Sequence, residues 1–428
     1  MLISSANLKR VFIAAILLVS FNFYQNPAMA QPQFNKCLLE ASPQNMVSLG
    51  QPLATERLAN KSRIRVGVLP FYFTDGAVKT LSETDKGEYL RAASKIESIS
   101  SSQIKIDIIF LPSINSNMTN AEFKDFYINR EIGWQNKDSS KSTWGFVKNL
   151  ITKSDSQINY LDLDSVILVG NNLDNSFSIA EAMQFFRSSA GNNYVNSNED
   201  FYKSVQTQEG YIDNAILLDR NMGATTIAHE LLHNFGLTDL YGSGTGPGFL
   251  SIMAAGSFRI LTYEKAVLGW LPLDDFKCSK FSDFVNTNNA KNELIINDFK
   301  KETVFLLQKT EDSAYVIEID QNDDKYYLAV YLLEQNMRPP ITIYSDPKIS
   351  FLSFYNVADP KNIGNFYQTP DFNLLITNQN GTSLNLNLIP KALLKTELAS
   401  KILDESLKNR DLAIQAAEAK AKAEAEAK

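Results

Sequence analysis

The stretch from Ala224 to Asp239 reads ATTIAHELLHNFGLTD and contains both histidines of the 428-residue chain. In a helix, His229 and His233 lie four residues apart on one face, so both imidazoles can bind the same ion. Glu230, next to the first histidine, can reach a water molecule on that ion. Three apolar residues are positioned to bury the rest of this helix: Ile227, Leu231 and Leu232.

The spacing of these residues predicts a catalytic zinc site with Glu230 as general base. Such a site usually has three protein ligands and keeps one position for water. Because the chain has no third histidine, a carboxylate is expected as the third ligand. Gly236 can adopt a positive φ and turn the chain out of the helix, which would return Asp239 to the ion. The alternative for Asp239 is a loop residue that caps a turn.

The extended motif, together with SIMAAGS from Ser251 to Ser257, resembles the metzincins, in which a methionine-containing turn passes beneath the metal. Met253 matches that methionine. The stretches GLTDLY from Gly236, SIM from Ser251 and YEKAVLGWL from Tyr263 are similar to the immune inhibitor A family of secreted bacterial metallopeptidases. The resemblance is specific over residues 227–271.

The resemblance implies an α/β (α+β) catalytic domain with a mixed sheet and an active-site helix. Two departures qualify it. The stretch between Ala30 and Arg63 is short beside the propeptides of larger members, which puts a zymogen mechanism in doubt. Ala255 stands where some metzincins carry a tyrosine that supports the reaction, so Tyr241 and Tyr263 are candidate substitutes.

Composition excludes several classes of protein. Apolar residues make up 44% of the chain and aromatic residues 11%, which excludes a wholly disordered chain. A net charge of −7 disfavours general nucleic-acid binding. Two cysteines are too few for a disulfide-dense scaffold or a multi-cysteine zinc site.

Residues 1–30 have the pattern of a signal peptide, with basic Lys9 and Arg10, an apolar run and the small residues of AMA at 28–30. The alternative is an uncleaved anchor helix. No second apolar stretch is long enough to span a membrane, so we expect a secreted or cell-envelope protein without a stable span. In that oxidising space Cys37 and Cys278 are expected to pair. The alternative for Cys37 is a thiolate that blocks the metal.

The pattern along the chain predicts four further segments. After a short leader, the pattern predicts strands at 64–70, 104–110, 165–169 and 214–218, the third of them buried, and helices at 83–99 and 144–152. Short strands separated by turn residues follow at 303–307, 315–319, 326–333, 341–344, 349–355 and 374–377. The predicted segments are a leader at 31–60, a metallopeptidase domain at 61–278, a β-rich sandwich-like domain at 279–390 and a charged helical tail at 391–428.

The expected function is hydrolysis of protein or peptide substrates by a secreted zinc endopeptidase. His229, His233 and Asp239 are the expected zinc ligands. The alternative is a surface adhesion or cell-wall binding protein on the same scaffold, with weak or no proteolysis. A structural calcium ion and contact of the tail with a cell surface are left open.

Overall fold

The structure is a computed structural model. It describes residues 39–41, 47–77, 80–129, 141–170, 179–187, 202–240, 250–255, 258–284, 292–322, 325–334 and 348–426. The predicted signal peptide at 1–30 and Cys37 lie outside the described residues. No described helix combines the length and the apolar character needed to cross a membrane.

The first sheet contains β1 (Arg63–Tyr72), β2 (Lys105–Phe110), β3 (Ile114–Asn115), β4 (Ser165–Gly170), β5 (Ala180–Gln184) and β8 (Asn214–Asp219). Its strand order is β2-β1-β4-β8-β5, with β3 paired to β1. All its pairings are parallel except that of β5, which runs antiparallel to β8 at one edge. The central strands β4 and β8 are buried throughout, as their apolar runs predict. Strands β6 (Val205–Gln206) and β7 (Tyr211–Ile212) form a separate small hairpin.

Helices cover both faces of this sheet. On one face, α1 (Glu83–Ile99) and α4 (Ala224–Phe235) share a core with alternate residues of the strands. On the other face, α3 (Thr143–Ser154) and α2 (Asn120–Asn129) contribute to a second, aromatic-rich core. The remaining short helices are α5 Ile252–Ala255, α6 Thr262–Val267 and α7 Phe281–Phe284.

The end of the predicted leader is part of the first core. Leu49, Leu53 and Leu58 are buried in it. Arg57 is fully buried and donates hydrogen bonds to Asn214 Oδ1 at 3.0 Å and to the Phe185 carbonyl at 2.5 Å. This buried guanidinium bonds β8 and the residue that follows β5, and so holds the segment against the sheet.

The C-terminal strands form two sheets. The five-stranded sheet has the order β14-β13-β12-β11-β9, in which β9 is Phe276–Lys280, β11 is Thr303–Gln308, β12 is Ser313–Asn322, β13 is Lys325–Glu334 and β14 is Lys348–Asn356. The four-stranded sheet has the order β10-β17-β16-β15, in which β10 is Asn292–Ile296, β15 is Phe366–Gln368, β16 is Phe372–Asn380 and β17 is Ser383–Pro390. Apolar side chains of the two sheets, among them Ile317 and Leu386, share one core, as in a sandwich.

The five-stranded sheet also packs on the helical part of the chain. Val316 and Tyr331, on its opposite face, belong to the same core as Val267 of α6. Strand β9 crosses the domain boundary predicted at residue 278 and pairs in parallel with β11. The C-terminal helix α8 (Glu397–Glu426) packs Ala399 and Ile402 against the outer face of the four-stranded sheet.

The predicted strands and helices recur with shifts of a few residues at their ends, and the bounds of α1 agree with the prediction. Strands β5, β10 and β17 were not predicted. The sequences of β5 and β10, AEAMQ and NELII, are short and mix polar with apolar residues, so their strand signal is weak. In β17, SLNLNLIP alternates polar and apolar residues, which is the pattern of a half-buried strand and could have been predicted. The strand predicted at Ile341–Tyr344 lies outside the described residues.

Candidate metal centre

Helix α4 is positioned by burial and by a contact at its first residue. The Glu88 carboxylate of α1 accepts a hydrogen bond from the Ala224 backbone N–H at 2.8 Å, which supplies an acceptor where the helix has none. Ile227, Leu231 and Phe235 are fully buried in the first core. The helix is thereby fixed against the sheet along its whole length.

The three predicted ligands meet at one point. Asp239 Oδ1 lies 3.1 Å from His229 Nε2 and 3.2 Å from His233 Nε2. The two Nε2 atoms are 3.2 Å apart. Ligand atoms about 2.0–2.1 Å from a zinc ion at tetrahedral angles lie about 3.3–3.4 Å from one another. The spacing of the three atoms is therefore close to that of three ligands of one zinc ion.

Backbone carbonyls orient both imidazoles. His229 Nδ1 is 2.9 Å from the Ile252 carbonyl oxygen, and His233 Nδ1 is 2.8 Å from the Leu237 carbonyl oxygen. Because a carbonyl only accepts hydrogen bonds, each Nδ1 must carry the proton and donate. In a neutral imidazole this leaves the lone pair on Nε2, facing the meeting point.

The arrangement requires a positive charge between the three atoms. With each Nε2 unprotonated, Asp239 Oδ1 is a buried oxygen that receives no hydrogen bond. Three acceptors within about 3 Å repel one another unless a cation or a proton lies among them. Two imidazoles and a carboxylate suit zinc. Within the described part of the chain, this is the one group of three or more metal-binding side chains close enough to share an ion.

The proton competes with a metal at this point. Burial lowers the pKa of His233, but the Asp239 carboxylate reverses this and raises it to about 9. Burial raises the pKa of Asp239, yet the two imidazoles outweigh it and hold that pKa well below its usual range. The carboxylate is thus charged at neutral pH and favours any cation at the centre.

Gly236 ends α4 as predicted. It has a φ of +117° and donates its N–H to the His233 and Leu232 carbonyls, while Leu237 N bonds back to Leu232 O at 3.1 Å. Such a turn is accessible to glycine because it has no Cβ. It brings the Leu237 carbonyl to His233 and Asp239 to both imidazoles.

Met253 belongs to the segment whose backbone contacts His229 and the residue after Asp239. Its side chain is fully buried, its N–H donates to Ser251 Oγ at 3.1 Å, and its carbonyl accepts from Leu240 N at 2.8 Å. Leu240 directly follows Asp239, so this contact ties the turn to the predicted third ligand. The neighbouring Ile252 carbonyl holds His229.

Glu230 is buried beside the ligands, with 6% of its surface exposed. Burial raises the pKa of its carboxyl group, and the two imidazoles counteract part of that rise. The backbone N–H of Ala182 in the edge strand β5 also donates to it and stabilises the charged form. A buried carboxylate with a raised pKa is suited to exchange a proton near neutral pH.

The structure thus brings together His229, His233, Asp239 and Glu230, with Gly236 and Met253 supporting them. Tyr263 is a buried residue whose hydroxyl donates to the Leu49 carbonyl at 2.6 Å, so it is not available to a substrate. Tyr241 lies outside the described residues. Cys278 is disulfide-bonded, and Cys37 lies outside the described residues.

Three backbone contributors were not predicted: the Ile252 and Leu237 carbonyls and the Ala182 N–H. The rule that a ligating imidazole donates its other N–H to an acceptor could have anticipated a carbonyl partner, but not its position. The chain was compared with protein-family models and with curated proteins, and neither comparison gave a match.

Proposed function

We propose that this protein is a zinc-dependent endopeptidase of metzincin type, secreted or held in the cell envelope. One observation carries the proposal: two imidazoles and a carboxylate meet within 3.2 Å of one another beside a buried glutamate. The ligands would be His229, His233 and Asp239. The resemblance to the immune inhibitor A family supports it, with a metallopeptidase domain preceding a β-rich domain.

Bound zinc would supply a Lewis acid for a peptide carbonyl and for the attacking water. Glu230 would take the proton from the water that attacks the carbonyl and return it to the leaving amine. Its raised pKa favours this exchange. The Ile252 and Leu237 carbonyls keep both imidazoles in the tautomer that presents Nε2.

The outer edge of β5 supports an extended peptide as substrate. The Ile179 carbonyl accepts from Asp219 N, and the Phe185 N–H donates to the Asp213 carbonyl, at the two ends of the β5–β8 pairing. Residues 180, 182 and 184, which alternate with the bonded positions, therefore direct their backbone groups away from β8. The N–H of Ala182 is one of these, and it donates to Glu230. No described strand pairs with this edge. A peptide adding to it as a strand would pass the general base.

The test uses the purified full-length chain with zinc analysis and a casein-type substrate. Wild type should bind about one zinc ion per chain. Glu230→Gln should keep the zinc and lose activity by about 100-fold or more. Glu181→Gln is the matched control, because that carboxylate accepts from Thr143 Oγ1 at 2.8 Å, on α3.

Three outcomes would count against the proposal. Wild-type activity in Glu230→Gln would remove Glu230 as general base. Unchanged zinc affinity in Asp239→Ala would show that the third ligand is another residue. A zinc-loaded wild type that cleaves no peptide would favour the alternative of an adhesion or cell-wall binding protein on this scaffold.

A further inference from the structure

A chain of buried hydrogen bonds joins the metal centre to the five-stranded sheet. It begins at the Ile252 carbonyl, which holds His229 at 2.9 Å. The N–H of the same residue donates to the Arg259 carbonyl at 2.6 Å. The position of the Ile252 backbone therefore sets the direction of one imidazole.

The Glu264 carboxylate binds the turn that contains Ile252 and Met253. Its Oε2 accepts from Ser251 Oγ and from Leu261 N, both at 2.7 Å. Ser251 Oγ in turn accepts from Met253 N at 3.1 Å. Glu264 is fully buried, and burial raises its pKa to about 7. A buried carboxyl group is costly, so one placed here needs a compensating role.

Strand β12 supplies the next contacts. Glu318 Oε2 accepts from Tyr263 N at 2.7 Å, and the Ile319 carbonyl accepts from Thr262 Oγ1 at 3.0 Å. Asp320 Oδ1 pairs with the Arg259 guanidinium at 3.1 Å.

Both acidic side chains of β12 are almost inaccessible to solvent, with 0% of Glu318 and 2% of Asp320 exposed. Strand β12 therefore reaches the turn in two ways. One runs from Asp320 through Arg259 to Ile252. The other runs from Glu318 and Ile319 to the two residues before Glu264.

We propose that Glu264 and Asp320 are positioning residues for His229, so that strand β12 of the β-rich sheet helps to set the affinity of the metal centre. This inference rests on the proposed zinc site. It assigns a role to the C-terminal sheet in the zinc site itself. Positioning partners of a ligating histidine typically change metal affinity by about 10–100-fold.

The main test compares Glu264→Leu with Glu264→Gln in the full-length chain. Gln keeps an oxygen acceptor for Ser251 and Leu261, whereas Leu removes it. We expect zinc affinity, measured by competition with a chelator, to fall about 10–100-fold in Glu264→Leu and to stay within about threefold of wild type in Glu264→Gln. Asp320→Ala tests the second route and should weaken binding in the same range.

A second measurement separates positioning from general stability. Because the chain has two histidines, NMR gives two imidazole Nδ1–H signals. In metal-free Glu264→Leu the His229 signal should shift or exchange faster, while the His233 signal, bonded to the Leu237 carbonyl, should stay. Asp371→Ala is the control, since it removes the carboxylate that accepts from Lys309 and Tyr315 in the C-terminal part of the chain without touching the turn.

Ser251→Ala replaces Glu264→Leu if that variant does not fold, because it removes the same link with a smaller change. Wild-type zinc affinity and unshifted His229 signals in folded Glu264→Leu or Ser251→Ala, and in Asp320→Ala, would overturn the inference. A wild type that binds no zinc would instead reject the proposed function. The imidazole signals would still report whether these residues orient His229.

Discussion

Asp239 decides what the two histidines can do. Without it, His229 and His233 would be two neighbouring imidazoles on a helix. With it, three acceptor atoms lie 3.1–3.2 Å apart and favour a cation at their centre. Glu230 is left as the nearby group that can exchange a proton, because the chain has no further histidine.

Zinc binding should release about one proton per site at pH 7. The pKa of His233 is raised to about 9 in the metal-free site, so its imidazole is protonated at pH 7 and must lose that proton to bind zinc. Calorimetry in buffers of different ionisation enthalpy measures the number released.

The raised pKa of His233 also determines how the stability of the metal-free fold depends on pH. Its stabilising effect on the metal-free fold is complete below the unfolded pKa of about 6.5 and is lost as the pH rises through about 9. Because His233 is itself deprotonated above pH 9, zinc binding should release fewer protons there. Release of no protons at pH 7 would contradict the charged state derived for His233.

Helix α4 and the turn after it act as one element. The helix presents the two histidines and Glu230, and the turn at Gly236 returns Asp239 to them. The motif predicted both parts, since the four-residue spacing and the glycine are local signals. The motif did not indicate that Ser48 N would bond the Gly236 carbonyl at 2.8 Å, which brings the leader segment over this turn.

Gly236→Ala should destabilise the fold by about 1–3 kcal/mol. The φ of +117° is strained for any residue with a Cβ, and the added carbon would lie 3.1 Å from both Leu53 δ-carbons. Zinc affinity should fall as well, because the Leu237 carbonyl and Asp239 follow the turn. Urea unfolding and chelator competition measure the two effects.

Gly87→Ala is the matched control. Gly87 lies within α1, and a Cβ there would meet no atom within 4 Å. Alanine favours the helix by up to about 1 kcal/mol, so this variant should be as stable as wild type or more so. Equal behaviour of the two variants would show that the positive φ at Gly236 is not required.

The whole molecule shares one core between its helical part and the five-stranded sheet. Eight apolar residues of that sheet are buried in the first core among the described residues: Phe276, Val304, Leu306, Ala314, Val316, Ala329, Tyr331 and Leu333. At about 1.5–3 kcal/mol for each larger side chain, this contact is comparable with the net stability of a typical protein. The two parts are therefore energetically coupled.

A chain truncated after Cys278 should fail to fold, because that shared core would be lost. Removal of residues 416–428 should leave the melting temperature within about 2 °C of wild type, since residues 416–426 are exposed. Circular dichroism during heating checks both. A folded, zinc-binding truncation at 278 would show that the first part is independent of the sheet.

The local pattern of the sequence determined much of this protein. Helical spacing predicted one face for His229 and His233, and apolar runs predicted the buried strands β4 and β8. These signals are readable because they depend on neighbours in the chain. The prediction of Asp239 as third ligand followed from the shortage of histidine and the turn expected at Gly236.

The tertiary structure alone decided the contacts between distant segments. Edge strand β5 (AEAMQ) lacks the β-branched and aromatic residues that favour strands, and its place beside β8 comes from pairing rather than propensity. The carbonyl that orients His229 lies 23 residues away in sequence, and Glu318 lies 55 residues from its partner Tyr263. Such contacts depend on how the sheets and helices pack in space, and no local pattern of residues encodes them.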